Sequence, residues 1–160
     1  MSNLLDHLGK DTLPQPMLQT FVRWCVLEQG RSALVTVLTD AAFDDVAGRL
    51  KDTDDVEALA QLGKQVQRLT REKRDSSRPL AISAAEAAAF EFTNMLKAAH
   101  ADDFDAEAVA FFSARVCGWA HWVHSGFASP QHKQEAEDNA RQQQEAQLQT
   151  LWKKHGTQQS

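Results

Sequence analysis

One segment of the sequence combines a thiol with two imidazoles at helical spacing. Cys117, His121 and His124 lie in the stretch 105–127, within an arc of about 60° if that stretch is a helix. Thiolate and imidazole are good zinc ligands, and residues i and i+4 of a helix can share one ion. A helix can supply three ligands, and a fourth would come from elsewhere in the bundle: His100, Asp103, Cys25 or Glu28.

A simpler interpretation of the same residues is a packed core, with Cys117 as a small buried thiol and His124 making one hydrogen bond. The paired C-x-x-C spacing of structural zinc sites is absent. Nucleophilic catalysis would need a base facing the thiol and a third group orienting that base. Cys117 and His121 instead run side by side on one helix. We therefore expect no cofactor and favour a protein that is not an enzyme, with a zinc protein or metal-dependent hydrolase as the alternative.

The stretch 105–127 is apolar nearly all round, which indicates a helix buried on several sides. Trp119 and Trp122 either fill the core or anchor a protein interface, and the core is favoured. One side has the stripe Val109, Val116, Ala120, Val123 and Phe127, and the other has Phe111, Phe112, Trp119 and Trp122. We predict that this helix is the centre of the fold.

The remaining periodicity predicts helices at about 17–29, 31–39, 41–50, 54–74, 80–99 and 130–154. Residues 31–39 have strand propensity, but no second strand candidate exists, so a helix is predicted. Gly30 should end the first helix, Asp40 should cap the third, and Asp54 with Glu57 fits a capping box. The last helix should bury only its C-terminal end.

These elements predict an all-α, single-domain helical bundle of five to seven helices. The domain should span 17–154, preceded by an arm at 1–16 and followed by a tail at 155–160. The alanine-rich helices 80–99 and 105–127 should pack closely and antiparallel.

Charge and composition exclude several classes of protein. The formal net charge of −5 over 160 residues, with no basic stripe, argues against nucleic-acid binding. No window has the roughly 18 apolar residues of a membrane span, and no secretory signal is visible. The two cysteines favour buried thiols over a disulfide. We expect a cytoplasmic protein that binds neither nucleic acid nor membranes.

Acidic residues cluster at predicted helix starts, where they complement the helix dipole. If they also cluster in space, they would form a surface suited to a basic protein partner. The residues expected to contact such a partner are Asp44, Asp45, Asp54, Asp55 and Glu57.

Part of the chain resembles a known family. Arg78-Pro79 with the alanine-rich helices, and the closing pattern Glu137, Gln144, Leu148 and Leu151-Trp152, are similar to bacterial immunity proteins of polymorphic toxin systems. This resemblance implies a small all-helical cytosolic protein that neutralises a toxin by binding it. A structural oligomer joined through the polar C-terminal helix is a further alternative.

Overall fold

The computed structural model describes residues 4–9, 13–41, 43–73, 79–100, 104–124 and 130–159. A short 3-10 turn, Leu4–His7, precedes the α-helices. The described residues contain no strand. The α-helices are α1 (Gln15–Trp24), α2 (Arg31–Asp40), α3 (Asp44–Lys51), α4 (Val56–Glu72), α5 (Pro79–His100), α6 (Ala106–His124) and α7 (Pro130–Gln159), with a π-helical turn at Cys25–Gly30 between α1 and α2.

Helix α6 occupies the position predicted for it. It packs against α5 on one side and α7 on the other, with α1, α2 and the π-helical turn behind it. Asp105 caps its first turn by accepting a hydrogen bond from the Ala108 N–H at 3.0 Å. Residues 125–127, which we expect to extend this helix, lie outside the described residues. The prediction of an all-α bundle of five to seven helices is confirmed.

Helices α5 and α6 are antiparallel and closely packed. The Asp105 N–H donates to the Ala98 carbonyl at 3.1 Å, and Arg115 pairs with Glu91. Residue numbers therefore increase along α6 in the direction in which they decrease along α5. Both helices also contain several small buried side chains, which are Ala84, Ala85, Ala88 and Ala89 on α5 and Ala110 and Ala114 on α6.

The predicted break at Gly30 is wrong. Helical backbone continues from α1 through the π-helical turn into α2, so 15–40 is one helix and the described residues contain six. Residues 31–39 are helical, as predicted. Gly30 does not end the helix; it allows a close approach, because a Cβ there would lie 2.8 Å from Sδ and Cε of Met95.

Two predicted caps are displaced by a few residues. Asp40 is the last residue of α2 and does not cap α3, which follows Phe43. Helix α4 is capped by Asp55, whose Oδ2 accepts from the Ala58 N–H at 3.0 Å. Asp54 instead pairs with Arg31. In a run of adjacent aspartates, spacing alone does not decide which one caps the helix.

Described residues before α1 contribute to the core of the bundle. Leu5, Leu8 and Leu13 are buried in the core. The Leu4 N–H donates to Oε2 of Glu145 on α7 at 3.2 Å. At the other end, α7 continues to Gln159.

The prediction that only the last turns of α7 are buried is wrong. Ala140, Gln144 and Leu148 in its middle are buried, whereas Trp152 near its end is 43% exposed. The helix packs through a polar and small-residue strip, which a search for apolar periodicity does not find. No helix in the described ranges is long and apolar enough to cross a membrane.

Candidate protein-binding surface

The outer side of α6, between α5 and α7, has an unusual concentration of aromatic side chains. Phe111 is 50% exposed and Phe90, on the neighbouring α5, is 56% exposed. Three further rings are partly exposed while packing against the core from outside. We define the aromatic face as Phe90, Phe111, Phe112, Trp119 and Trp122.

The rings of the aromatic face are held by specific contacts. Phe111 and Phe112 meet edge to face, with centroids 5.3 Å apart. Trp119 and Trp122 do the same at 5.7 Å. Such edge-to-face pairs add to the stabilisation that comes from buried area.

A charged pair lies in the middle of the aromatic face. Nε of Arg115 donates to Oε1 of Glu91 at 2.8 Å, and the guanidinium carbon lies 5.7 Å from the Phe111 ring centre. The hydrogen bond from Arg115 to Glu91 raises the pKa of Arg115 above its usual value, and the charge of Glu137 adds to this effect. Arg115 is therefore a fixed cation among aromatic rings.

Helix α7 contributes a second charged pair at the edge of the face. Nζ of Lys133 lies 4.5 Å from the Trp119 ring centre and 3.0 Å from Oε1 of Glu137. Cations over an indole face are attracted by the ring quadrupole. The indole Nε1 of Trp119 is buried and has no hydrogen-bond acceptor among the described residues.

The zinc alternative involves Cys117, His121 and His124, and the structure describes the side chains of the first two. Cys117 is half-buried and His121 is exposed, with its ring centre 6.2 Å from that of His132 on α7. Burial raises the pKa of the Cys117 thiol to about 12, which disfavours the free thiolate that would attack a substrate. No group of three metal-ligating side chains occurs among the described residues. The side chain of His124 is not among them, so the three-residue site stays a prediction.

The acidic residues expected to bind a partner fall into two groups at opposite ends of α3. Asp44 and Asp45 lie in the first turn of α3, beside Leu69 and Lys73. Asp54, Asp55 and Glu57 lie beyond the other end of this eight-residue helix, which is about 12 Å long.

Two of these acidic residues also have structural partners. Oδ1 of Asp54 lies 2.6 Å from a guanidinium nitrogen of Arg31, and Asp55 caps α4. Asp44, Asp45 and Glu57 have exposed side chains. Partner binding by these five residues stays a prediction.

Sequence reasoning missed a polar network buried behind α6. Gln29, Ser113 and Gln144 are all buried. The Gln29 amide donates to the Ala140 carbonyl at 3.0 Å, and the Ser113 hydroxyl lies 2.9 Å from Oε1 of Gln29. π-Helical turns occur often at functional sites, but this network is closed by its own hydrogen bonds. It fixes α7 on the bundle.

A groove of about 490 Å³ lies along the outer side of α2. Its lining mixes hydroxyl, aliphatic and charged groups, and Arg31 at its end is already engaged by Asp54 and by the Thr53 carbonyl. Its lining contains no aromatic side chain, whereas protein-binding hot spots are enriched in tryptophan and tyrosine as well as arginine. The aromatic face is therefore the stronger candidate site.

This chain was compared with protein-family models, curated proteins and solved structures. No protein-family model, curated protein or solved structure matches this chain.

Proposed function

We propose that this protein acts by binding another protein molecule through its aromatic face. The observation that carries the proposal is the outer side of α6 and α5, where Phe90 and Phe111 are each at least half exposed around the Arg115–Glu91 pair. Tryptophan and arginine dominate the energetics of protein interfaces. Contiguous exposed apolar patches often mark interaction sites, whereas single exposed apolar residues scattered over a surface do not.

Binding explains the composition of the face better than catalysis does. Four charged groups among or beside its rings, Arg115, Glu91, Lys133 and Glu137, are engaged in two ion pairs. An acid–base centre needs a group whose pKa lies near the working pH, whereas the pKa of Arg115 is raised further from that range. The nearby Cys117 has its thiol form stabilised by burial.

The resemblance to immunity proteins, which are thought to act by binding, is consistent with this proposal. A toxin is the kind of partner that the resemblance implies. The acidic residues lie in two groups at opposite ends of α3. This arrangement supports binding of a basic partner less than one continuous acidic patch would. We therefore base the contact on the aromatic face and not on Asp44, Asp45 or the start of α4.

The test is capture of proteins from a lysate of the source cells by the immobilised full chain, compared among three forms. The first is the natural sequence, and the second is the face variant Phe90→Ala with Phe111→Ala. The control variant is Leu80→Ala with Trp152→Ala, which removes two other exposed apolar side chains, 54% and 43% exposed. Far-UV circular dichroism verifies that all three forms are folded.

The proposal expects at least one protein to be retained by the natural sequence and the control but lost by the face variant. That protein is then purified and its affinity for the three forms measured. The proposal would be overturned if the face variant captured the same proteins as the other two forms. It would also be overturned if no protein, including a second copy of this chain, bound in a way that depends on the aromatic face.

A further inference from the structure

We infer that the aromatic face is the contact surface between two copies of this chain. This inference rests on the proposed function, because it names the molecule that the face binds. It follows from the charge of the face, from the symmetry of the α5–α6 pair and from the unused hydrogen-bonding capacity of the central ion pair.

The two ion pairs of the aromatic face each carry no net charge, although the whole chain is negatively charged. One pair joins Arg115 to Glu91 among the rings, and the other joins Lys133 to Glu137 at the edge of the face. Two chains of formal charge −5 repel one another, so a self-contact is favoured where the meeting surfaces carry no net charge. A strongly basic partner would instead be attracted to an acidic surface.

The antiparallel arrangement makes the face self-complementary. Glu91 and Arg115 lie at the same level of the α5–α6 pair. A two-fold axis running between the two helices and parallel to them would lay α5 of each copy on α6 of the other, which is an isologous contact. Glu91 would then face the partner's Arg115, and Phe90 would lie within about one helical turn of the partner's Phe111.

The central ion pair can take part in such a contact. Arg115 uses its Nε to bind Glu91 within the chain, and a guanidinium has four more N–H donors. The side chains of Arg115 and Glu91 are 34% and 11% exposed. Each guanidinium can therefore reach a carboxylate of the other copy without releasing its own, while the surrounding rings exclude water.

The test is sedimentation equilibrium of the full chain over a series of concentrations. The average mass should rise from that of one chain, 17.8 kDa, towards twice that value. Phe90→Ala with Phe111→Ala should raise the dissociation constant more than about tenfold, because truncated interface anchors commonly have effects of this size. The control Leu80→Ala with Trp152→Ala should leave it unchanged.

A pair of charged variants tests the arrangement of the helices. Phe90→Lys and Phe111→Glu should each weaken self-association when studied alone. An equimolar mixture should associate more tightly than either, because Lys at 90 would face Glu at 111 of the other copy. A mixture no tighter than its components would overturn the contact of α5 with the partner's α6.

Two other results would overturn the inference as a whole. One is a chain that stays monomeric at every concentration. The other is a dimer that the face variant does not weaken; loss of that dimer on changing α7 would point to the C-terminal helix as the contact. If the chain is monomeric while face-dependent capture of a different protein persists, the proposed function stands and only this inference fails.

Discussion

The side-chain amide of Gln144 on α7 donates two hydrogen bonds of 2.8 Å, one to Oε1 of Gln29 and one to the carbonyl of Ala110. A guanidinium nitrogen of Arg141 donates to Oε1 of Gln144 at 3.0 Å. One buried amide thus joins α7, α6 and the π-helical turn. Because buried polar groups are stabilising only when paired, this network specifies one position of α7 on the bundle.

We predict that Gln144→Ala lowers the free energy of unfolding by about 1–3 kcal/mol. The substitution removes a donor from Gln29 and from the Ala110 carbonyl in a site closed to water. The measurement is urea unfolding followed by circular dichroism. Gln142→Ala, two residues away on the exposed side of α7, should change stability by no more than about 0.5 kcal/mol. Equal effects of the two variants would show that the network contributes nothing specific.

The same residue shows where sequence reasoning succeeds and where it stops. Apolar periodicity was sufficient to predict the all-α bundle and the central position of α6. It predicted a solvent-exposed middle for α7, because a glutamine run offers no apolar stripe, and Gln144 is nevertheless buried by pairing with Gln29. Pairing between residues more than a hundred positions apart leaves no local signal.

The aromatic face is a second case of the same limit. The sequence places Phe111, Phe112, Trp119 and Trp122 on one side of α6, but amphipathicity assigns apolar residues to the core. Whether that side is covered depends on where α5 and α7 lie. The structure leaves Phe111 half exposed, so composition was predictable from the sequence and exposure was not.

The cap of α4 provides a prediction that separates two adjacent aspartates. Asp55→Ala should lower the free energy of unfolding by about 1 kcal/mol, because the Ala58 N–H loses its acceptor. Asp55→Asn should retain most of the stability, since an amide oxygen can also cap a helix. The measurement is again urea unfolding. If Asp55→Asn were as destabilising as Asp55→Ala, charge and not the hydrogen bond would be the cause.

The buried thiols predict how stability depends on pH. Burial raises the pKa of Cys117 to about 12 and also raises that of Cys25. In the unfolded chain both thiols ionise from about pH 8.5. Above that pH the unfolded state binds fewer protons than the native state, so stability is lost as pH rises; below it, the contribution is fully present.

We therefore expect a decrease of at most about 1.4 kcal/mol per pH unit for each thiol between about pH 9 and pH 12. The measurement is the free energy of unfolding of the natural sequence and of Cys117→Ala at several pH values. Lysines titrate in both proteins, so their contribution cancels in the difference between the two free energies of unfolding. This difference should change with pH in this range and be constant between pH 6 and pH 8. A difference that does not vary above pH 9 would contradict the raised pKa of Cys117.

We expect substitution by alanine to have opposite effects on stability at two helical glycines. Gly118→Ala should be destabilising by about 1 kcal/mol, because a Cβ there would lie 2.7 Å from Cγ of Glu137 and 3.1 Å from Cγ of Lys133 on α7. The strain exceeds the gain in helix propensity. Gly48→Ala on the exposed side of α3 meets nothing within 4 Å and should stabilise the protein by about 0.5–1 kcal/mol. Thermal and urea unfolding of both variants measure the difference. If Gly118→Ala were as stabilising as Gly48→Ala, the close contact between α6 and α7 at this position would be wrong.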